Sequence, residues 1–190
     1  CRLPGTDGKS KMSKSLGNVI LAKDVVATYG GMPLRLMMLN AHYRAPLMFS
    51  EETINEAVKN YQKIATLVKQ LAVALQLEGK DIENLPKDTN TAFFDEMCAD
   101  LNTPNALTIL YQDIKEANQA LRVKERDYNA LLNYFAKIKT ELDVLGIRAD
   151  YPHLDDEDKK IYAEYMQAKA DKDFALSDTL RARLAEKGVL

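Results

Sequence analysis

The sequence predicts a mainly α protein: an antiparallel helical bundle preceded by a basic loop and a connector. Three observations lead there. Between residues 51 and 190, apolar side chains recur at intervals of three and four, which gathers them on one face of a helix. Residues that start and stop helices, among them Ser50, Thr103, Gly146 and Gly188, stand at the ends of these runs. The connections between the runs are mostly short, so that consecutive helices fold back on one another.

Taken in order, residues 1–18 hold Pro4 and three glycines, show no periodicity, and read as strand remnant and loop. Val19, Ile20 and Leu21 form a short extended piece. A short helix over 23–29 ends at Gly30-Gly31, and Pro33 opens a second over 34–43, where its missing N–H costs nothing. That helix is apolar around most of its circumference and is expected to be buried; Pro46 stops it. Ser50, followed by Glu51 and Glu52, caps a long amphipathic helix over 51–77, with Ile54, Val58, Tyr61, Ile64, Val68, Leu71 and Leu75 facing inward. Residues 78–90 are a polar connection.

A short helix over 91–99 turns Phe93 or Phe94, Met97 and Cys98 inward, with Cys98 as a buried small hydrophobe. Thr103 caps and Pro104 opens a helix over 103–121 with Leu107, Leu110, Ile114 and Ala117 inside. After a charged turn, a helix over 128–145 carries Leu131, Leu132, Phe135, Ile138 and Leu142 and ends at Gly146. A boundary near Pro152 leads to a helical pair over 156–170 and 174–186. In it Asp155, Asp156, Glu157 and Asp158 serve as helix-start charges, not as a metal site. Met32, Met37, Met38 and Met48 read as core filling.

The 190 residues suffice for one sizeable core or two small ones, and 46% hydrophobic with 28% charged residues is the balance of a globular, ordered protein. No apolar run approaches the ~20 residues that cross a bilayer, and no signal-peptide pattern opens the chain, so a cytoplasmic setting without membrane attachment is expected. Two cysteines and two histidines, widely separated, predict neither a disulfide framework nor a metal site. A formal net charge of -2 confines any nucleic-acid contact to local patches. Arg35 and Arg44 are the candidates. Lys59, Lys63, Lys69, Arg122, Lys124 and Arg126 have acids interspersed and mostly read as solvated helix faces. His42 and Tyr43 fit a contact surface and a satisfied core equally well.

The chemistry concentrates in residues 9–18, KSKMSKSLGN, where three lysines alternate with hydroxyl side chains. Ammonium groups on such a loop are suited to phosphate oxygens. Residues 11–18, KMSKSLGN, resemble the signature loop of class I aminoacyl-tRNA synthetases. Residues 41–46 (AHYRAP) with 49–52 (FSEE) resemble the segment that follows this loop in cysteinyl-tRNA synthetases. Residues 100–104 (DLNTP) resemble that family's bundle signature, with Leu101 where phenylalanine is usual, and residues 168–189 resemble its C-terminal helical pair. The lead-in at 3–10, LPGTDGKS, is closer to tryptophanyl-tRNA synthetases.

The resemblance to cysteinyl-tRNA synthetases covers nearly the whole chain. It implies the C-terminal portion of an ATP-dependent, AMP-forming cysteine-tRNA ligase: a loop and lead-in at 1–18, a stem-contact connector at 19–50, a tRNA-binding helical bundle at 51–149, and the start of a C-terminal region at 150–190. It further implies that Lys14 and Lys11 are catalytic and that Lys11, Met12, Ser13, Lys14 and Ser15 bind ATP, with Mg expected beside it. The partners implied are tRNA and an upstream Rossmann-type catalytic domain, absent from this chain, which would carry the zinc; the piece alone is expected to be inactive. Two alternatives stay open: a related ligase joining cysteine to an amino sugar, and a non-catalytic helical RNA-binding or interaction module.

Overall fold

A computed structural model describes residues 21–85 and 91–190. Eight helices make up the described residues, in the order α1 (Ala22–Tyr29), α2 (Gly31–Leu39), α3 (Glu51–Leu77), α4 (Thr91–Cys98), α5 (Thr103–Arg122), α6 (Tyr128–Leu145), α7 (Asp156–Ala170) and α8 (Phe174–Glu186).

The organising element is α3. It begins in a capping box: Ser50 Oγ accepts from the Thr53 N–H at 3.1 Å, and Thr53 Oγ1 accepts from the Ser50 N–H at 2.9 Å. Its middle packs with α5 and α6 around Ile64, Leu71, Leu75, Leu110, Leu131, Phe135 and Ile138, all wholly buried. The bond from Lys80 Nζ to Asn129 Oδ1 and that from Tyr61 Oη to the Arg148 carbonyl place the end of α3 beside the start of α6, and its middle beside α6's end. The Lys137–Asp113 and Tyr134–Glu116 contacts set α5 against α6 in the same sense. Each therefore runs antiparallel to α6, and α3 and α5 point the same way.

Two smaller cores hang on the ends of α3. At its start, Ile54 and Ala57 bury Val25 of α1 and Met37 of α2, with Tyr29, Leu34, Leu47 and Phe49 around them. At its end, Val73 joins Leu154, Ile161, Tyr165, Leu180, Leu184 and Val189 of the helical pair. The pair is capped at α7 by Asp155, which accepts from the Asp158 N–H at 2.8 Å, so the acidic run does act at a helix start.

Five details depart from the sequence reading, the first being that Met48, read as core filling, is exposed in the segment before α3. The second helix covers Gly31–Leu39, starting and ending about one turn early, and Pro33 lies inside its first turn, where no intrahelical donor is needed. This helix is not buried all round: Leu36 and Met37 face in, but Met38 is exposed. Cys98 is also exposed, because Phe93 and Met97 define the inner face of α4 and Cys98, its last residue, falls outside it. Thr103 is the first residue of α5 and caps nothing; its hydroxyl donates across to the Leu39 carbonyl at 2.8 Å.

Candidate functional site

The connector after α2 and the turn between α4 and α5 meet in one place. Asp100 and Leu101 sit in that turn with φ of 57° and 54°, a left-handed conformation uncommon for side-chain-bearing residues. Local bonds hold it: the Asn102 N–H donates to the Glu96 carbonyl at 3.1 Å, and Asn102 Nδ2 and Asn105 Nδ2 both donate to Glu96 Oε2, at 2.7 and 3.1 Å.

Onto this turn the connector places three consecutive side chains. Tyr43 Oη donates to Asp100 Oδ1 at 2.7 Å, Arg44 Nη2 lies 3.4 Å from the same oxygen, and Arg44 Nε donates to Tyr43 Oη at 2.8 Å. His42 Nε2 is 3.1 Å from the Asp100 carbonyl and 3.8 Å from its Oδ2. Hydrogen bonding to the Asp100 carboxylate, with some desolvation, raises the Tyr43 phenol above its ordinary range. The Arg44 guanidinium lies 5.2 Å from the centre of the Tyr43 ring. It remains 70% exposed, a cation fixed in direction but open to solvent.

Arg35 is placed differently. Its Nε donates to the Leu145 carbonyl at 2.6 Å, where α6 ends in the left-handed Gly146 with φ 64°. A guanidinium there satisfies a carbonyl that the helix leaves free and opposes the negative end of its dipole. Arg35 thus ties α2 to α6, while Arg44 lies at the α4–α5 turn; each joins the connector to the bundle, by separate bonds. His42 and Tyr43 are surface residues bonded to Asp100, not core residues.

Lys11, Met12, Ser13, Lys14 and Ser15 lie outside the described residues. Among the described residues no group of three His, Cys, Asp or Glu side chains is arranged to hold a metal. No described helix is long and apolar enough to cross a membrane.

Comparison with known proteins agrees with the motifs in their order. Residues 6–59 match the model of the class I (C) tRNA synthetase catalytic domain, and residues 92–149 match the DALR domain. The chain is 35% identical over 191 residues to the cysteine–tRNA ligase of Brevibacillus brevis, covering 95% of this chain and 41% of that protein. It is 34% identical over 187 residues to that of Bacillus cereus and 32% over 187 to that of Geobacillus thermodenitrificans, in both cases 95% of this chain and 40% of the relative. The chain thus spans about two fifths of the length of the curated relatives it matches. On these matches the chain is similar to cysteine–tRNA ligases over nearly its whole length, with a match to the class I (C) tRNA synthetase catalytic domain followed by one to the DALR domain.

Proposed function

We propose that this chain is the portion of a cysteine–tRNA ligase that closes on ATP and orients tRNA. The observation that carries the reading is similarity over 95% of the chain, with family matches at residues 6–59 and 92–149. In the reaction the cysteine carboxylate attacks the α-phosphorus of ATP. The bond to the β-phosphate bridging oxygen breaks, and pyrophosphate leaves with the electron pair. The cysteinyl group then passes to the terminal ribose hydroxyl of tRNA, releasing AMP. Negative charge grows on the departing pyrophosphate, so a cation held there binds the transition state more tightly than the ground state.

Lys14 is the residue proposed for that contact and Lys11 its neighbour, with Ser13 and Ser15 donating hydrogen bonds and Met12 anchoring the loop. Mg accompanies the nucleotide; zinc belongs to an N-terminal part that grips the cysteine thiolate. Residues 1–18, 19–50, 51–149 and 150–190 act as loop, stem-contact connector, tRNA-binding bundle and start of the C-terminal region. Arg44, fixed over Tyr43 but open to solvent, is suited to a tRNA phosphate; Arg35, which spends one N–H on α6, offers its outer nitrogens. The setting proposed is the cytoplasm.

The test is Lys14→Ala in the full-length parent. ATP–pyrophosphate exchange, which requires no tRNA, is expected to fall by about 10²–10³, the effect of removing one preorganised transition-state donor. Exchange at the parental rate would refute the assignment.

A further inference from the structure

Between α3 and α5, on the side away from α6, the bundle leaves an open groove of about 980 Å³. Its walls carry Lys59 and Lys63 from α3, and Lys115 and Arg122 from α5. No carboxylate lines it among the described residues. The acids nearby are engaged or displaced: Glu116 is bonded to Gln112 and Tyr134, and Glu56, whose charge reaches Tyr111, lies beyond the lining. Lys59, Lys115 and Arg122 make no ion pair among the described residues, and Lys63 reaches only the Asn60 amide oxygen at 3.4 Å. Four unneutralised cations thus face one trough in a chain whose net charge is -2.

In sequence Lys59, Lys63 and Arg122 mostly read as solvated surface with acids interspersed, and Lys115 does not stand out. The fold changes that, because α3 and α5 run in the same direction and turn their basic sides to a shared space. From Lys59 to Gln70 the groove extends about 16 Å by helical rise, and its charges are spread along both walls instead of converging on a point. Such a layout suits an extended polyanion and not a single small anion. Asn118 and Gln119 add amides that can serve phosphate or ribose oxygens. At the floor, the Tyr111 hydroxyl is buried without a hydrogen-bond partner among the described residues.

We infer that this groove holds one phosphodiester strand of tRNA through its backbone, supplying affinity without reading sequence. The inference rests on the tRNA-ligase reading and assigns to these residues a role that is independent of the loop. Phosphate contacts position a nucleic acid and carry no direct sequence information, so the groove treats cognate and non-cognate tRNA alike.

The experiment compares the full-length parent with its Lys59→Gln/Lys63→Gln/Lys115→Gln variant. Exposed lysines on helix surfaces tolerate this change, and circular dichroism melting checks the fold. Binding of cognate and of a non-cognate tRNA is measured across a salt series, with ATP–pyrophosphate exchange as control. The expected result is a salt slope shallower by roughly 2 to 3, at ~0.7–0.9 per cation removed. Affinity falls by the same factor for both tRNAs, and exchange is unchanged. An unchanged slope and affinity overturns the groove, and a loss confined to the cognate tRNA overturns the backbone reading. Equal competition by poly-glutamate at matched charge overturns RNA as the occupant. A Lys14→Ala variant with full exchange would defeat the loop assignment and leave this result standing, whereas a parent that binds no tRNA would defeat the groove together with the tRNA-ligase reading on which it rests.

Discussion

At the scale of single residues, the junction depends on backbone conformations that side-chain-bearing residues adopt at a cost. Gly146 lies at φ 64°, and a Cβ there would come 2.8 Å from the Arg35 Cζ. Gly146→Ala therefore meets two penalties: left-handed strain of roughly 1–2 kcal/mol, and displacement of Arg35 from the Leu145 carbonyl. Urea unfolding is expected to show at least the first, and the same substitution in an Arg35→Ala background is expected to cost less. Equal costs in the two backgrounds would mean the guanidinium does not matter there. Asp100 invites the opposite experiment. Asp100→Gly keeps φ 57° without strain but removes the carboxylate that Tyr43 donates to. The phenol is held above its ordinary range chiefly by that hydrogen bond, which favours its neutral form. In the variant Tyr43 should ionise at lower pH than in the parent, as followed by NMR of its ring carbons. A shift in the other direction, or none, would show that Asp100 is not its partner.

At the scale of elements, α3 carries more than its amphipathic pattern announces. Ile54, Ile64, Val68, Leu71 and Leu75 form the face that the three-and-four spacing identifies. Val73 and Gln76 lie off that stripe and are buried because α7 and α8 cover the helix's second side. A buried glutamine between Leu75 and Leu77 gives no signal in a hydrophobic pattern. Its purpose appears only when the amide donates to the Pro152 carbonyl at 2.9 Å and its oxygen accepts from the Leu154 N–H at 2.8 Å. Gln76→Ala should cost about 1–3 kcal/mol, since those buried backbone groups lose their partners, with hydrogen exchange rising first in α7 and α8. The helical pair also has a pH dependence of its own. Asp158 is held below the usual carboxylate range, first by the hydrogen bond from Lys187 and then by the Asp155 N–H. A depressed folded pKa means stability present above the ordinary aspartate value and lost as pH falls through the lowered one. Lys187, raised mainly by the same bond, contributes at pH below the ordinary lysine range and loses that contribution as pH climbs through its raised value. Asp158→Asn should flatten the acid limb of the melting profile; an acid limb that survives the substitution would exclude this pair as its cause. Helix order and most helix ends were legible in sequence because caps and periodicity are local. The meeting of residues 42–44 with Asp100 was not, since each motif is visible alone but their contact depends on how α2 and α5 pack.

At the scale of the molecule, three cores share one helix of 27 residues, about 40 Å long. The central core holds α3 against α5 and α6, while the connector core and the helical-pair core each grip only one end of it. This arrangement makes the middle of α3 a common dependency and its ends separable. Ile64 is wholly buried in the central core, and Ile54 is wholly buried in the connector core. Truncating either to alanine removes the same three carbons, and each loss is on the scale of 2–5 kcal/mol for its own cluster. The consequences should differ in reach. Ile64→Ala weakens the element on which both outer cores are built, so exchange protection should fall together in α1–α2, α5–α6 and α7–α8. Ile54→Ala should release α1 and α2 locally and leave α7–α8 at parental protection, because the core of that pair meets α3 at Val73, near its other end. Hydrogen exchange resolved by peptide separates the two outcomes. If Ile54→Ala loosened the helical pair as much as Ile64→Ala does, the three cores would be one cooperative unit, and the connector's position would be coupled to the far end of the bundle through α3 itself.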